Sequence, residues 1–454
     1  MTRKLTLLFS LFVVLALLLV ACGGDTAEEP TEPAAAEVSP TEEPAAEAPA
    51  ESPTEEPMAE EAMTEETVTI GFTASQTGNY NVESTRQING LNLWMDQVNE
   101  AGGITLPDGT VLKFDSVFYD DESNTDRVQE LYTRLATEDE ADFLISPYSS
   151  GLTDASAVIA EQYGTIMITT GAASDSTYQK GYSLVFQAYT PASRYLTGAL
   201  DLLAATDPDV KKIAIVNEDS KFSTDVATAL NDYATELGYE VVMFEGYPPE
   251  TTDFAPFINK IQEAAPDAIF GGGHFQDGST LVKQLDEKAV PANMVALLVA
   301  PPEPTFAELG DAALGVVGPS QWEPLAEFNA ESAAAAGMDF YGPSSQEFTD
   351  AYMAAYGEEP SYHAAGGYAA GLLLQKAIED AGNLDTQAVK AALDNLDLLT
   401  FFGHNKFNTS AESHGLQEGH SMVYIQWQDV NGELAKEVVW PAEGASADVL
   451  YPMP

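Results

Sequence analysis

Short apolar, β-branched runs alternate with longer amphipathic stretches along much of this chain, and this alternation constrains the fold more than any other feature. Residues 68–72 and 143–145 have the character of buried strands, whereas 154–163 and 224–237 have the periodicity of helices. Alternation at this spacing favours parallel sheets with helices on both faces. Such sheets bind ligands at the carboxyl ends of their strands. Two runs of these units, separated near Thr190, predict two lobes with a cleft between them.

The charge of the chain excludes several classes of partner. It carries 18 Lys+Arg against 72 Asp+Glu, a formal net charge of -54. Nucleic-acid phosphates and anionic lipid surfaces attract basic side chains, so neither is expected to bind here. The acidity fits plain solubility outside a cell, and it also fits adaptation to salty water. The single cysteine excludes a disulfide framework and a zinc site built on several thiolates.

Residues 1–22 predict a secretory signal. Arg3 and Lys4 precede an apolar run over 5–20, which is short for a membrane span. The run ends in Leu19-Val20-Ala21-Cys22-Gly23, which resembles the bacterial lipobox. The resemblance implies a lipid anchor on Cys22 and a protein held outside the cytoplasm, at the cell surface or in the periplasm. An ordinary secretory signal with an incidental cysteine is the alternative.

Residues 23–66 predict a disordered acidic tether. The segment consists largely of Glu, Pro, Ala and Thr in loose repeats, and it contains no Lys or Arg. Such a composition cannot bury enough apolar area to fold. Proline and like-charge repulsion favour extended chain, which would hold the globular part away from the membrane.

A series of short motifs follows the predicted elements in a fixed order. The motifs are Ile70-Gly71-Phe72 leading to Thr77-Gly78, Val98-Asn99-Glu100-Ala101-Gly102-Gly103, Tyr119-Asp120-Asp121-Glu122-Ser123-Asn124, Ser149-Ser150-Gly151, Gly171-Ala172-Ala173-Ser174, Ala265-Pro266-Asp267 and Gly367-Tyr368-Ala369-Ala370. In this order and spacing, residues 67–430 resemble the branched-chain amino-acid (Leu/Ile/Val-binding-like) type of periplasmic binding protein. That resemblance implies an α/β, type I periplasmic-binding-protein fold whose two Rossmann-like lobes are joined by three crossover segments.

By the same resemblance, one lobe (the N-lobe) is expected to comprise 67–190 and 325–402. The other (the C-lobe) is expected to comprise 191–324 and 403–454. Hinges between them would let the lobes close around a ligand, exclude water and strengthen polar contacts.

The function implied is capture of a small polar ligand, an amino acid or a related carboxylate or amide, and its delivery to an ABC permease. A monomer is expected, with no cofactor, no metal and no catalytic residue. One alternative is a receptor of the same fold that signals to a membrane partner. Another is a surface hydrolase, but no nucleophile paired with a histidine is visible in the sequence.

The resemblance assigns the cleft position by position. The loop at Tyr148 to Ser150 follows a strand and opens a helix, where free backbone N–H groups suit a carboxylate. Ser150 is the first candidate, with a plain helix-capping serine as the alternative. The predicted ligand-binding residues are Tyr80, Tyr148, Ser149, Ser150, Gly171, Ala172, Ala173, Ser174, Phe222, His274, Phe275 and Glu303.

The sequence departs from the family pattern at the expected ammonium site. Amino-acid binders of this type place an acid near the first crossover, where this chain has Ala192. A buried ammonium without a carboxylate is costly. Glu303, Asp175 or Asp219 could substitute, or the ligand is not an α-amino acid. Of the remaining histidines, His404, His414 and His420 are expected at the surface rather than at a metal.

Overall fold

The computed structural model describes residues 64–326 and 328–454. Its first sheet and the helices around it are β1 (Glu65–Ala74), α1 (Asn81–Glu100), β2 (Ile104–Thr105), β3 (Val111–Asp120), α2 (Thr125–Thr137), β4 (Phe143–Ile145), α3 (Ser150–Tyr163), β5 (Met167–Thr169), α4 (Asp175–Tyr178) and β6 (Val185–Gln187). The second sheet and its helices are α5 (Thr197–Thr206), β7 (Lys212–Glu218), α6 (Lys221–Glu236), β8 (Glu240–Tyr247), α7 (Ala255–Ala264), β9 (Ala268–Gly272), α8 (Phe275–Glu287), β10 (Met294–Leu297) and β11 (Val317–Ser320).

The rest of the chain adds two strands to the second sheet and forms a separate three-stranded sheet. Its elements are α9 (Ala330–Ala336), β12 (Asp339–Phe340), α10 (Ser345–Tyr356), α11 (Tyr362–Ala381), α12 (Thr386–Asp394), β13 (Asp397–Thr400), β14 (Gly403–Lys406), β15 (Val423–Val430) and β16 (Glu433–Trp440). Three short 3-10 helices lie at Ala192–Arg194, Pro304–Ala313 and Ala442–Gly444.

The N-lobe contains a six-stranded sheet in the order β2-β3-β1-β4-β5-β6. All its pairings are parallel except that of β2 with β3. Every residue of β4 and β5 is buried, because helices cover both faces of the sheet. The C-lobe contains a seven-stranded sheet in the order β16-β15-β11-β10-β9-β7-β8, in which the β11–β15 and β15–β16 pairings are antiparallel and the others are parallel. The predicted parallel α/β architecture is confirmed.

Two helices of the N-lobe pack at unusually close range. A Cβ at Gly90 of α1 would lie 1.8 Å from the carbonyl oxygen of Ala364, and one at Gly367 of α11 would lie 1.9 Å from that of Gln87. Only glycine allows this approach. The packing places the first turn of α11 against the N-lobe strands although it is remote from them in sequence.

The three crossover segments meet in a small polar cluster. The backbone N–H of Thr190 donates to Oε1 of Gln321 at 2.9 Å, and the Thr190 hydroxyl lies 2.7 Å from Nδ1 of His420. Nε2 of His420 lies 2.7 Å from the carbonyl oxygen of Phe402. His420 is 1% exposed, so its expected surface position is wrong. Burial lowers the pKa of His420 to about 4, and its neutral ring then donates to Phe402 and accepts from Thr190.

The lobe boundaries stay a prediction, and local packing favours one adjustment. β14 pairs with β13, and Phe407 belongs to the apolar core of the N-lobe. The backbone N–H of Gln187 in β6 donates to the carbonyl of Gly415 at 2.8 Å. We therefore propose that the last crossover lies near His420 rather than at residue 403.

The strands predicted at 68–72 and 143–145 agree with β1 and β4 to within three residues, whereas the two predicted helices begin earlier than periodicity indicated. These helices are α3 and α6, which start at Ser150 and Lys221. Their first turns carry polar or aromatic side chains, which hide the apolar period. The early starts bring helix N-termini to the edge of the cleft.

The signal segment, Cys22 and residues up to 63 of the tether lie outside the described residues. Strand β1 begins at Glu65, inside the last residues assigned to the tether. Within the described ranges, no helix has both the length and the hydropathy required to cross a bilayer.

Candidate functional site

A small enclosed cavity lies between the two lobes at the carboxyl ends of their strands. Its volume is about 10 Å³, which is room for about one water molecule, so a larger ligand fits only when the walls move apart. The walls come from both lobes, as expected for a ligand site at the strand ends of parallel sheets. The lining residues are Tyr148, Ser149, Gly171, Ala173, Tyr189, Tyr195, Phe222, His274, Val299, Tyr362 and His363.

The N-lobe wall is built from two neighbouring loops that a serine joins. Ser150 opens α3 after β4, and its Oγ accepts from the backbone N–H groups of Ala173 and Ser174 at 2.9 and 3.2 Å. Because both bonds come from the loop after β5, the hydroxyl fixes the spacing of the two loops. Ser149 caps the helix with extended backbone and faces the cavity.

Gly171 is required where the second loop turns beside the cavity. Its φ is +76°, and a Cβ there would lie 2.5 Å from Oε1 of Gln87 and 2.6 Å from the ring of Tyr148. The loop can thus lie close under the Tyr148 ring, which is 3% exposed.

The C-lobe wall is aromatic. Phe222, in the first turn of α6, packs edge-on against Tyr195 with ring centres 5.0 Å apart. The ring of His274, which precedes α8, lies 6.0 Å from that of Phe222. It also lies 4.6 Å from the ring of Tyr80 and 5.7 Å from that of Tyr148, both in the N-lobe. His274 therefore sits among aromatic rings from both lobes.

A buried carboxylate holds a proton on His274. Nδ1 of His274 lies 2.8 Å from Oε2 of Glu218, and both side chains are almost fully buried. Burial by itself lowers the pKa of the imidazole, but the Glu218 carboxylate outweighs it and raises the pKa to about 9. The same pairing lowers the pKa of Glu218 despite the opposing effect of burial. His274 is therefore an imidazolium near neutral pH, and its Nε2–H has no hydrogen-bond partner among the described residues.

A second buried histidine, His363, has a different partner arrangement. Its Nδ1 lies 2.5 Å from Oε1 of Glu303, and the other oxygen of that carboxylate pairs with Arg86. Because Arg86 already neutralises Glu303, the carboxylate does little to favour a second positive charge. Burial lowers the pKa of His363 to about 3, so the ring is neutral.

Several predicted residues do not line the cavity. Ser150, Ala172 and Ser174 lie directly behind its wall and are buried. Phe275 packs against the apolar core of the C-lobe, although its backbone N–H donates to Glu83 across the cleft at 2.9 Å. Glu303 is buried beside His363 and Arg86, so both of its oxygens already have protein partners.

Tyr80 lines a neighbouring opening instead. That opening has an empty volume of about 520 Å³ and is bordered by Glu218, His274 and Asp277. The structure therefore gathers Tyr148, Ser149, Gly171, Ala173, Phe222 and His274 around one cavity, and it places the other predicted residues next to that set.

The sequence analysis missed five residues of the lining, namely Tyr189, Tyr195, Val299, Tyr362 and His363. Tyr189 and Tyr195 flank the first crossover, which was searched only for an acid. Tyr362 and His363 form the first turn of α11, far in sequence from the other walls. The sequence signal that could have identified them is a helix that begins with two adjacent residues with ring side chains, Tyr362 and His363.

Neither Asp175 nor Asp219, the two other acids considered as partners of a ligand ammonium, is placed to bind one. The carboxylate of Asp175 accepts from the backbone N–H and hydroxyl of Ser193 at 3.0 and 2.7 Å. Asp219 lies beside Gly246, at the edge of the C-lobe sheet. Neither lines the cavity. Glu83 is the carboxylate nearby with a free oxygen, since its Oε2 is buried without a partner in the described part of the chain.

One cluster could in principle coordinate a metal ion. Glu218, His274 and Asp277 present ligand atoms within 4.8 Å of one another. Each is already engaged within the protein, since Asp277 accepts from the backbone N–H of His274 at 2.7 Å and from the hydroxyl of Tyr247. Burial, together with Glu218, raises the pKa of Asp277 to about 6. The cluster is therefore explained by hydrogen bonding without an ion.

Two further features lie away from this cavity. A larger groove, of about 1130 Å³ empty volume, runs between α8 and the C-terminal residues Pro452 to Pro454 and shares no residue with the cleft. His414 is 8% exposed and lies 2.8 Å from Asp394, so its expected surface position is also wrong.

The chain is similar to known proteins along most of its length. The sequence pattern of the family described as periplasmic binding protein matches residues 67–431. A Leu/Ile/Val-binding protein homolog 7 from Brucella melitensis is 23% identical over 381 residues, covering 80% of this chain and 88% of that protein.

Solved structures share the fold. The substrate-binding protein LivJ of Streptococcus pneumoniae, in complex with isoleucine, superposes with a TM-score of 0.66 at 23% identity, covering 82% of this chain and 99% of that one. A solute-binding protein from R. palustris, in complex with 4-hydroxybenzoate, superposes with a TM-score of 0.68 at 18% identity, covering 86% and 98%.

Proposed function

Since the chain belongs to the periplasmic binding protein family, we propose that it captures a small polar molecule by closing its lobes and delivers it to an ABC permease. It is a solute-binding protein of the branched-chain amino-acid transporter type, and its family consists of binding proteins rather than enzymes. The family also implies a place outside the cytoplasm.

The cavity shared by both lobes is the observation that carries this proposal. It is enclosed, lined mostly by aromatic side chains, and bordered by polar atoms, such as Nε2 of His274, that have no hydrogen-bond partner within residues 64–326 and 328–454. A buried polar atom without a partner costs free energy that a bound molecule can recover. Ligand pockets have this combination of apolar walls and a few placed polar groups.

Closure is supported by contacts that only approached lobes can make. Glu83 of α1 accepts from the backbone of Phe275, and Arg86 pairs with Glu303 beyond β10. Separating the lobes would return these charged groups to water. A ligand that adds contacts to both walls shifts the equilibrium toward the closed form. Small-angle scattering with and without ligand tests this, and an unchanged radius of gyration at saturation contradicts it.

The proposed ligand contacts centre on the two N-lobe loops. Free N–H groups at the start of α3, with the hydroxyl of Ser149, would hold a carboxylate, and Ser150 would support this loop from behind the cavity wall. The aromatic residues Phe222 and Tyr148 would cover the apolar part of the ligand. A thermal-shift screen of amino acids, amides and small carboxylates identifies the ligand, because binding raises the midpoint by mass action.

Replacement of Ser150 tests the N-lobe assignment. Ser150→Ala is expected to weaken binding of the best ligand by about 1–3 kcal/mol, since the backbone N–H groups of Ala173 and Ser174 lose their acceptor and the loop that lines the cavity is no longer held in place. Titration calorimetry gives the affinity, and Ser156→Ala, in the same helix but away from the cavity, is the control. Equal affinities for the wild type and Ser150→Ala would remove Ser150 from the site.

We also propose that Cys22 carries the lipid anchor. The test is mass spectrometry of the membrane-bound protein, compared with Cys22→Ala. A wild-type protein whose Cys22 carries no added mass would refute the anchor without affecting the cleft.

A further inference from the structure

The two histidines of the cavity present opposite hydrogen-bonding characters to the same space. Both line the cavity, and in each ring Nε2 is buried without a partner among the described residues. Their rings lie 5.7 and 5.1 Å from the ring of Tyr148, one in each lobe. A small molecule beside Tyr148 can therefore reach both nitrogens.

The protonation of each ring follows from its carboxylate partner. A carboxylate can only accept, so Nδ1 of His363 carries the hydrogen that it donates to Glu303. The neutral ring then presents a bare lone pair at Nε2. His274 donates Nδ1–H to Glu218 and, as an imidazolium, presents a second N–H at Nε2. The cavity thus offers a charged donor on one wall and a neutral acceptor on the other.

A ligand ammonium does not suit the acceptor side. His363 itself is a basic group at that position, and burial together with Arg86 and His274 disfavours its positive charge more than the nearby Glu83 carboxylate favours it. A ligand cation placed there would be desolvated beside the same two positive groups. A neutral hydroxyl can donate to Nε2 of His363 without bringing a charge.

We infer that the ligand is a small hydroxycarboxylic acid with an apolar or aromatic body, whose carboxylate binds between the start of α3 and His274 and whose hydroxyl donates to His363. The inference rests on the proposed function and narrows its substrate class. The body would pack against the aromatic and apolar lining, which consists of Tyr148, Tyr189, Tyr195, Phe222, Val299 and Tyr362.

Two matched series of compounds test the inference by titration calorimetry on the full chain. One series is 2-hydroxy-4-methylpentanoate, 4-methylpentanoate and leucine, and the other is 4-hydroxybenzoate, benzoate and 4-(aminomethyl)benzoate. In at least one series the hydroxy acid is expected to bind about tenfold or more tightly than both of its analogues, because only it satisfies Nε2 of His363 without a buried cation.

The outcomes separate the inference from the proposed function. Tighter binding of an amino compound, or of an amide in the wider screen, overturns the inference and leaves the binding function intact. Loss of such amino-compound binding in Glu83→Gln would identify Glu83 as the ammonium partner. If no compound of any class binds, the proposed function itself fails.

A variant and a spectroscopic measurement test His363 directly. His363→Leu is expected to abolish the preference for the hydroxy acid over the plain acid, whereas His404→Leu, outside the cleft, retains it. Nitrogen-15 spectra of histidine-labelled wild type are expected to show His363 as the neutral form with its proton on Nδ1, so the inference stays falsifiable if the variant does not fold. A doubly protonated ring would overturn it.

Discussion

The two walls of the cleft each bury one histidine against one glutamate, yet the two pairs end in opposite charge states. On the C-lobe wall, Glu218 pairs with no Lys or Arg in the described part of the chain, and it keeps His274 protonated. On the N-lobe wall, His363 meets a glutamate that Arg86 already neutralises, and the imidazole stays neutral. Both carboxylates are close to their histidines. The protonation state of each buried histidine therefore depends on whether its carboxylate is already paired with another cation.

Replacement of Glu303, whose carboxylate is shared by Arg86 and His363, is expected to give the largest loss of stability. Glu303→Ala leaves Arg86 buried without its main partner, which costs about 3–5 kcal/mol of unfolding free energy. Urea denaturation measures the loss. The control is Glu358→Ala, because Glu358 also contacts Arg86, at 3.5 Å, but its side chain is 42% exposed, so about 1 kcal/mol or less is expected. Similar losses of unfolding free energy in both variants would show that Glu303 is no more important than Glu358 as a partner of Arg86.

The His274 pair is expected to lose stability as the pH rises. The folded pKa, about 9, lies above the ordinary value of 6.5, so the folded state holds the proton more tightly than the unfolded chain. The pair therefore stabilises fully below pH 6.5, and roughly 3 kcal/mol is lost as the pH rises through 9. Denaturation midpoints over that range check the slope, and His274→Gln is expected to flatten it. An equal slope in the variant would contradict the pairing.

His363 is expected to lower the stability of the folded state as the pH falls, which is the opposite of the pH dependence expected for His274. Its folded pKa of about 3 lies below 6.5, so the unfolded chain binds the proton first as the pH falls. Its contribution is complete above pH 6.5, and about 2 kcal/mol is lost by about pH 5. His363→Gln should reduce the acid slope relative to the wild type. A steeper acid slope in His363→Gln would mean that the ring is charged.

The loops of the cleft were predictable because they depend on local pattern. Ser149, Gly171 and Ala173 follow short apolar strands, and parallel strands align their carboxyl ends at one edge of a sheet. His274 follows Gly271-Gly272-Gly273 at a strand end for the same reason. Resemblance supplied the order of these loops and the two-lobed fold.

The other wall residues were not predictable from the same reasoning. His363 reaches the cavity because α11 packs against α1 at Gly90 and Gly367, a contact between segments far apart in sequence. Glu303 was assigned to a ligand because the family resemblance places an acid for the ligand ammonium in that region. Its actual partner Arg86 lies on α1, where nothing in the sequence marks it as half of an ion pair across the cleft.

The sequence by itself determined the alternation of strands and helices, the edge of the sheets at which a ligand would bind, and the loops expected there. Hydrophobic periodicity and turn residues act locally, so they can be read from one segment at a time. Only the tertiary structure decided which carboxylate is shared and which histidine keeps its proton. Those properties depend on burial and on the distances between charges from separate segments, and these distances exist only once the lobes have packed.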